Sequence, residues 1–503
     1  MEVITHAKSV CPVVLRTRSP VRSVRIDVFV IGATFRIEPR GTPYGREFLY
    51  IFSPCVFNLF KLSKEVYMKQ KAIKTIKSTK KSTVKKTEKL DYINTNAAGI
   101  DIGSKSHFVA IPEGRDKQTV REFATFTNSL IELVDWLKKN SITTVAMEST
   151  GVYWIPLYDM LEENGFEVLL VNARHIKNVP GRKTDVIDCQ WIQQLHSYGL
   201  LRGSFRPKDK ILQMRTLMRH RSTLIKYQSS HILHMQKTLS LMNIQLKNVI
   251  RDITGLTGMK IIEAIVSGER DPTILAQNRD PNCKNSEETI RESLIGNYQD
   301  DHMFCLTQAL ELYKFYGRQI TDCDHKLEKL MKEMEDLSNK GNNTSQSNKI
   351  AKKTSKKHRY AFDMHQQLMK ITGVDLTAIP GLNVQTIAKI ISEIGVDMSK
   401  WKTSKQFAAW LGVCPGNKIS GGKRLSGKTV PSANRAAAAL RTAANALRLT
   451  DTALGAFFRR LSSRLGAAKA ITAGAHKIAV ILYNMLKNGL EYVESQGVPA
   501  KII

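Results

Sequence analysis

Cysteine is scarce in this chain of 503 residues: Cys11, Cys55, Cys189, Cys283, Cys305, Cys323 and Cys414 stand singly, with no CxxC pair and no Cys/His group at zinc-ligand spacing. A zinc module or a disulfide-stapled mini-scaffold is excluded, and a reduced cytoplasmic setting is expected. Long apolar runs are also missing. The nearest, Phe48 to Phe60, contains Ser53 and Pro54 and falls short of the about 20 residues that cross a bilayer. The opening MEVITHAKSVCPVV lacks the charged-then-apolar order of a secretory signal. Acids are the other shortage: 45 Asp and Glu face 76 Lys and Arg, a net charge of +31. An excess of that size attracts a polyanion, most often nucleic acid, with a ribosome-like or membrane-surface basic protein as the competing class.

What is present is a chain with 42% apolar residues, enough for two to four domains with real cores. Residues 1–67 show no sustained period of 2 or 3.6 and announce no domain; they are expected to be an irregular or disordered extension, and Met68 is an alternative start. KQKAIKTIKSTKKSTVKKTEKL follows, with nine lysines and one glutamate, so 68–93 reads as a basic arm able to lie on phosphates or merely to solubilise. From 94 the pattern sharpens. AAGIDIG (97–103), HFVAIPE (107–113) and VREFATF (120–126) read as an antiparallel meander, NSLIELVDWLKKN (128–140) as a helix, TTVAMES (143–149) as a buried strand, 153–165 as a helix and FEVLLVN (166–172) as a strand, with a further helix from about Thr184. The order βββαβαβα assigns 94–250 to an α/β, RNase H-like domain. Residues 251–337 read as helical, and Ile320, Leu327, Leu330, Met331, Met334 and Leu337 form the seam of a short coiled coil, a self-association surface or an ordinary bundle helix. The Ser/Asn/Lys-rich run from 338 to 364 reads as a linker, and 365–503 as a mostly α C-terminal domain.

Four acids are candidates for chemistry. In an RNase H-like sheet the first strand lies beside the strand that follows the first helix. Asp101 in the first and Glu148 at the end of the second can then point toward one edge. In KTDVIDCQW, Asp185 and Asp188 are three apart and share a helical face. Two-metal phosphodiester chemistry needs several hard carboxylate oxygens at one point, which these four supply. Each also has an ordinary explanation: a turn acid before Gly103, a strand-end charge, a helix-dipole partner beside a Thr184 cap.

Nearer the C-terminus, LMKITGVDLTAIPGLNVQTIAKIISEIG reads as helix, turn at Pro380-Gly381, helix. A helix-hairpin-helix of this kind offers backbone N–H groups to phosphates, whereas a plain αα-corner offers none. In the stretch 415–429, Ser420 precedes Gly421 and Gly422 among Lys418, Lys423, Arg424 and Lys428. Glycines permit close approach to a phosphate and the cations stabilise developing charge, so Ser420 is a candidate nucleophile. Turn chemistry is the ordinary alternative, and Ser426 is the internal competitor.

Three motifs, GIDIGSKSHFVAI, AMESTGVYW and VNARHIKNVPGRKTDVIDCQWIQQL, closely resemble the DEDD transposases of the insertion-sequence 110 group, whose N-terminal domain is similar to the RuvC Holliday-junction resolvase. Pro415 with Ser420-Gly421-Gly422 resembles the P-x(4)-SGG loop of that family's C-terminal domain. The likeness covers roughly 97–250 and 368–490. It implies that Asp101, Glu148, Asp185 and Asp188 bind Mg²⁺ or Mn²⁺ and that Ser420 is the nucleophile. Lys183, Pro380, Gly381, Lys418, Gly421, Gly422, Lys423, Arg424 and Lys428 become candidate nucleic-acid contacts. Further implications are double-stranded DNA (element ends and target), a structured noncoding guide RNA, a dimer or tetramer, and a bacterial, nucleoid-associated location. Two other classes remain open at this point: a RuvC-like junction nuclease that hydrolyses with water, and a non-enzymatic basic scaffold for RNA or DNA.

Overall fold

The computed structural model describes residues 15–18, 25–30, 33–37, 91–172, 184–207, 209–337, 358–429 and 431–494. The chain divides into two compact units, Met1–Asp91 and Tyr92–Ile503. In the first, β1 (Leu15–Arg18), β2 (Arg25–Val30) and β3 (Ala33–Ile37) form an antiparallel sheet in the order β1-β2-β3. The extension expected to be irregular therefore contains strands; runs of four to six residues are too short to display a period. Most of the basic arm, 68–90, lies outside the described residues.

The second unit begins with a five-stranded sheet in the order β6-β5-β4-β7-β8: β4 (Ala97–Ile102), β5 (Ser106–Ala110), β6 (Val120–Ala124), β7 (Thr144–Glu148) and β8 (Glu167–Val171). β4, β5 and β6 are antiparallel neighbours, and β7 joins β4 in parallel, as does β8 to β7. Helix α1 (Thr127–Lys139) and helix α2 (Trp154–Glu163) make the crossovers. Side chains alternate between faces along a strand. Ala98, Ile100, Ile102, Val145 and Met147 share one core with Leu130, Leu133, Val134 and Leu137 of α1 and Leu157 and Leu161 of α2. The opposite parity, Ala146 and Val171, packs on Ile192 of α3 (Asp185–Ser197). The meander and the order βββαβαβα read from sequence are both present.

Beyond the sheet, α4 (Asp209–Leu241) and α9 (Asp300–Lys332) lie alongside each other as a helical hairpin. Its far end is closed by α5 (Leu246–Val249), α6 (Leu256–Val266), α7 (Pro272–Ala276) and α8 (Glu287–Ser293), which share a core with Met235, Leu239, Leu306 and Leu310. The seam read as a self-association surface is occupied within the chain: Ile320 packs with Leu224, and Leu327, Leu330 and Met331 join a core containing Met214 and Met218. Heptad spacing specifies an apolar stripe but not whose helix covers it. α4 packs on α9 and on α11 (Val384–Ile394).

Arg221 and Asp324 bolt the hairpin together. Both are almost fully buried; the guanidinium donates to the carboxylate over 2.5 and 3.1 Å, lies 4.0 Å from the Tyr360 ring centre, and reaches the carbonyls of His358 and Arg359. The run read as a linker thus ends in packed chain; residues 338–357 lie outside the described residues. The remaining helices, α10 (Met364–Thr372), α12 (Ser404–Leu411), α13 (Arg435–Ala446), α14 (Ala453–Leu465) and α15 (Ala467–Asn488), share the largest core with α11.

A strap at 203–207 connects the sheet to these helices. Ser204 N–H donates to the Leu170 carbonyl over 2.6 Å. Phe205 sits 4.9 Å from the Trp401 ring and 5.3 Å from Trp410, while Arg206 lies 4.3 Å over Tyr158 and pairs with Asp159 at 2.6 Å. A cavity of about 1090 Å³ surrounds this strap. Among the described residues, no helix is long and apolar enough to cross a membrane.

Candidate active site

The parallel ladder of β4 and β7 ends with the pair Ile100 and Met147. Asp101 and Glu148 are the next residue on each strand, so they stand side by side at the C-terminal ends. Their parity is that of Gly99 and Ala146, which places them on the face covered by α3. Both are half-buried, and Thr150 Oγ1 donates to Glu148 Oε1 over 3.4 Å.

Three contacts fix the direction of α3. His196 Nε2 meets Thr144 Oγ1 at 2.9 Å at the start of β7; Gln193 Nε2 donates to the Ala97 carbonyl over 3.3 Å at the start of β4; and the Cys189 carbonyl lies against Gly99, further along β4. The helix therefore runs against β4 and β7, and its first turn lies toward their C-terminal ends. That turn holds Asp185, exposed, and Asp188, half-buried. Thr184 caps it, accepting from Ile187 N–H at 3.3 Å, as the sequence predicts. All four acids consequently occupy one end of one face. Among the described residues they do not form a closed set of three or more metal-ligating side chains.

Cys189 is wholly buried under this face and its thiol donates to the Val186 carbonyl over 3.1 Å. Burial, then the charges of Asp101 and Asp188, push its thiol up to about 12. The acidic donors at this end are hard carboxylate oxygens, a set suited to Mg²⁺ or Mn²⁺ rather than to a thiophilic metal. Gly99 is what admits α3 so closely: a Cβ there would lie 2.2 Å from Gln193 N and 2.5 Å from the Cys189 carbonyl oxygen. The sequence reading did not single out Gly99 or His196; a glycine inside a strand run is the available signal of close backbone approach.

Ser420 ends β9 (Lys418–Ser420) and pairs with Lys423 at the start of β10 (Lys423–Ser426). Gly421 and Gly422 between them have φ of +54° and +75°, the left-handed pair that a two-residue hairpin turn requires. The hairpin is exposed, with Ile419 and Leu425 in solvent as well as Lys418, Lys423, Arg424 and Lys428; its base is closed by Pro415 bridging Thr429. Ser426 is half-buried at a register shift and accepts from Lys428 N–H at 3.3 Å. Pro380-Gly381 does form a turn between α10 and α11, with Asn383 capping α11, but a Cβ at Gly381 would lie 2.6 Å from the Ala443 carbonyl oxygen. Packing against α13 accounts for that glycine without a phosphate. Lys183 lies outside the described residues.

Two family models match the chain. One, a DEDD transposase model of the IS110 group described as Transposase, matches residues 98–244. The other, described as Transposase IS116/IS110/IS902 family, matches residues 373–458. The first spans the sheet and all four acids, the second the Ser420 hairpin. No curated protein matches the chain.

Proposed function

We propose that the chain, matched by two IS110-family transposase models, is a transposase that cuts and rejoins DNA at a composite site built from the acids of α3, β4 and β7 and the Ser420 hairpin. What supports the reading is the placement of Asp101, Glu148, Asp185 and Asp188 toward one end of the sheet face that α3 covers. An RNase H-like, specifically RuvC-like, domain is supported by the strand order β6-β5-β4-β7-β8 with its single antiparallel-to-parallel change at β4.

In this account the four carboxylates hold one or two Mg²⁺ or Mn²⁺ ions, which supply charge neutralisation at the scissile phosphate. The chain's own residues do the rest. Ser420 Oγ attacks phosphorus as its proton departs; the Oγ–P bond forms and the bond from phosphorus to one bridging deoxyribose oxygen breaks, that oxygen taking up a proton. The phosphoserine link conserves the bond for rejoining, when an incoming DNA hydroxyl attacks phosphorus and Ser420 leaves. Lys418, Lys423 and Arg424 flank the serine and offset the charge that builds on the phosphoryl oxygens. Ser420 is preferred over Ser426 because it is exposed at the turn, where the Gly421-Gly422 backbone leaves room for a phosphate. The exposed tip is compatible with the two halves meeting on bound DNA, between protomers of a dimer or tetramer. A structured noncoding RNA of the element is proposed as the source of sequence choice, as the family resemblance implies.

A nicked suicide substrate tests this reading. Wild type with Mg²⁺ is expected to accumulate a covalent protein–DNA adduct that Ser426→Ala retains and Ser420→Ala loses. Strand cleavage surviving in Ser420→Ala would favour a hydrolytic junction nuclease. Unaltered rearrangement by Asp101→Asn would favour a scaffold.

A further inference from the structure

A second cavity, of about 300 Å³, opens where α4, α11 and α13 meet. Arg219 comes from the first helix, Lys389 from the second and Arg435 from the third. Its one lining acid is Glu393, and that carboxylate is already taken: Arg219 Nε and Nη2 donate to its two oxygens over 2.9 and 2.8 Å, and Arg215 Nε lies 3.3 Å away. Lys389 and Arg435 are exposed and have no ion-pair partner among the described residues. With Arg219 neutralised by Glu393, Lys389 and Arg435 bring two uncompensated cations from separate helices onto one concavity, and an anion seated between them removes their repulsion. Met218, Ala438 and Ala439 supply its apolar lining, with Met218 buried and Ala438 at the exposed rim.

Position supplies the identity of the anion. Arg435 opens α13 six residues after Thr429, the base of the Ser420 hairpin. Six residues span at most about 20 Å and a five-residue hairpin arm about 17 Å. The cavity therefore lies within roughly one turn of duplex of the phosphate that Ser420 attacks. We infer that this cavity is a phosphate anchor: it holds one backbone phosphate of the DNA duplex bound at the serine hairpin, with Lys389 and Arg435 as its principal contacts. The inference rests on the transposase reading and adds to it a site on the flank of the attacked bond. A phosphate contact carries no base information, so it fixes register along the strand rather than sequence.

The test is the salt dependence of duplex binding by the full chain. Lys389→Gln/Arg435→Gln is expected to lower the slope of log K against log salt by about 1 and to weaken binding about tenfold at low salt, equally for unrelated sequences. A control pair with the same loss of charge, Lys139→Gln/Lys326→Gln, should leave the slope unchanged, and Arg435→Lys should retain most of the affinity. Thermal melts of each variant separate misfolding from lost contact. An unchanged slope in the double variant overturns the anchor. So does a loss confined to single-stranded RNA, or protection of the cavity by inorganic phosphate without any change in the DNA slope. The suicide-substrate adduct is read on the same wild-type preparation: an adduct without the slope change rejects the anchor alone, whereas a slope change without an adduct rejects the serine mechanism alone.

Discussion

The carbonyl oxygen of Cys189 lies where a side chain on Gly99 would begin, 2.5 Å from an ideal Cβ. The neighbouring obstacle is also backbone, Gln193 N at 2.2 Å, so neither can swing away as a side-chain tip could. Gly99 thereby sets how closely α3, with Asp185 and Asp188, approaches Asp101.

Gly99→Ala is expected to cost about 1–3 kcal/mol, the range of an overpacked core, and to shift α3 outward. Urea denaturation measures the first effect. The second should appear as weaker stabilisation by Mn²⁺ than in wild type, with retained DNA affinity because the basic surfaces are untouched. A folded variant with unaltered Mn²⁺ response would show that α3 placement is not limiting.

His196 gives the sheet domain an acid limit. Burial beside Thr144 lowers its imidazole from 6.5 to about 4. Above pH 6.5 the ring is neutral whether the chain is folded or unfolded, so its contribution is fully present; as pH falls from 6.5 toward 4 the unfolded chain takes up a proton that the folded one refuses. Stability falls across that window by up to about 3 kcal/mol, at about 1.4 kcal/mol per pH unit at most. His196→Gln should flatten this limb relative to wild type in melts between pH 4 and 7.

Asp324→Asn leaves Arg221 buried and uncompensated within the helical hairpin. A loss of about 3–5 kcal/mol is expected, read by chemical denaturation. Replacing both partners by apolar residues should recover much of it, since the cost lies in the stranded charge. If the single variant unfolds like wild type, the ion pair is not the bolt described here.

The sheet was legible because its strands alternate with helices that carry their own spacing: Leu130, Ile131, Leu133, Val134 and Leu137 read as one stripe, of which four pack into the core while Ile131 is exposed. Asp185 and Asp188 were legible for the same reason, three apart on a helix with a capping threonine ahead of it. What periodicity could not give was partnership. Leu327 and Leu330 form a true seam, but only the fold reveals that α4 of the same chain fills it. At Gly381 the turn was legible, but not the close approach of the Ala443 carbonyl that also calls for a glycine there. The Lys389 and Arg435 cavity was invisible because its cations are scattered over more than 200 residues, from Arg219 onward, and no spacing rule connects them.

Iron-directed cleavage addresses the central relationship between the acids and the serine. Fe²⁺ in place of Mg²⁺, with ascorbate and peroxide, generates hydroxyl radicals that cut polypeptide near the bound ion. With duplex DNA bound, cuts are expected both beside Asp101, Glu148 and Asp185 and within the hairpin from Pro415 to Thr429, all of them abolished by Asp101→Asn. Cuts confined to the sheet domain, with the hairpin intact in the DNA complex, would contradict a shared site.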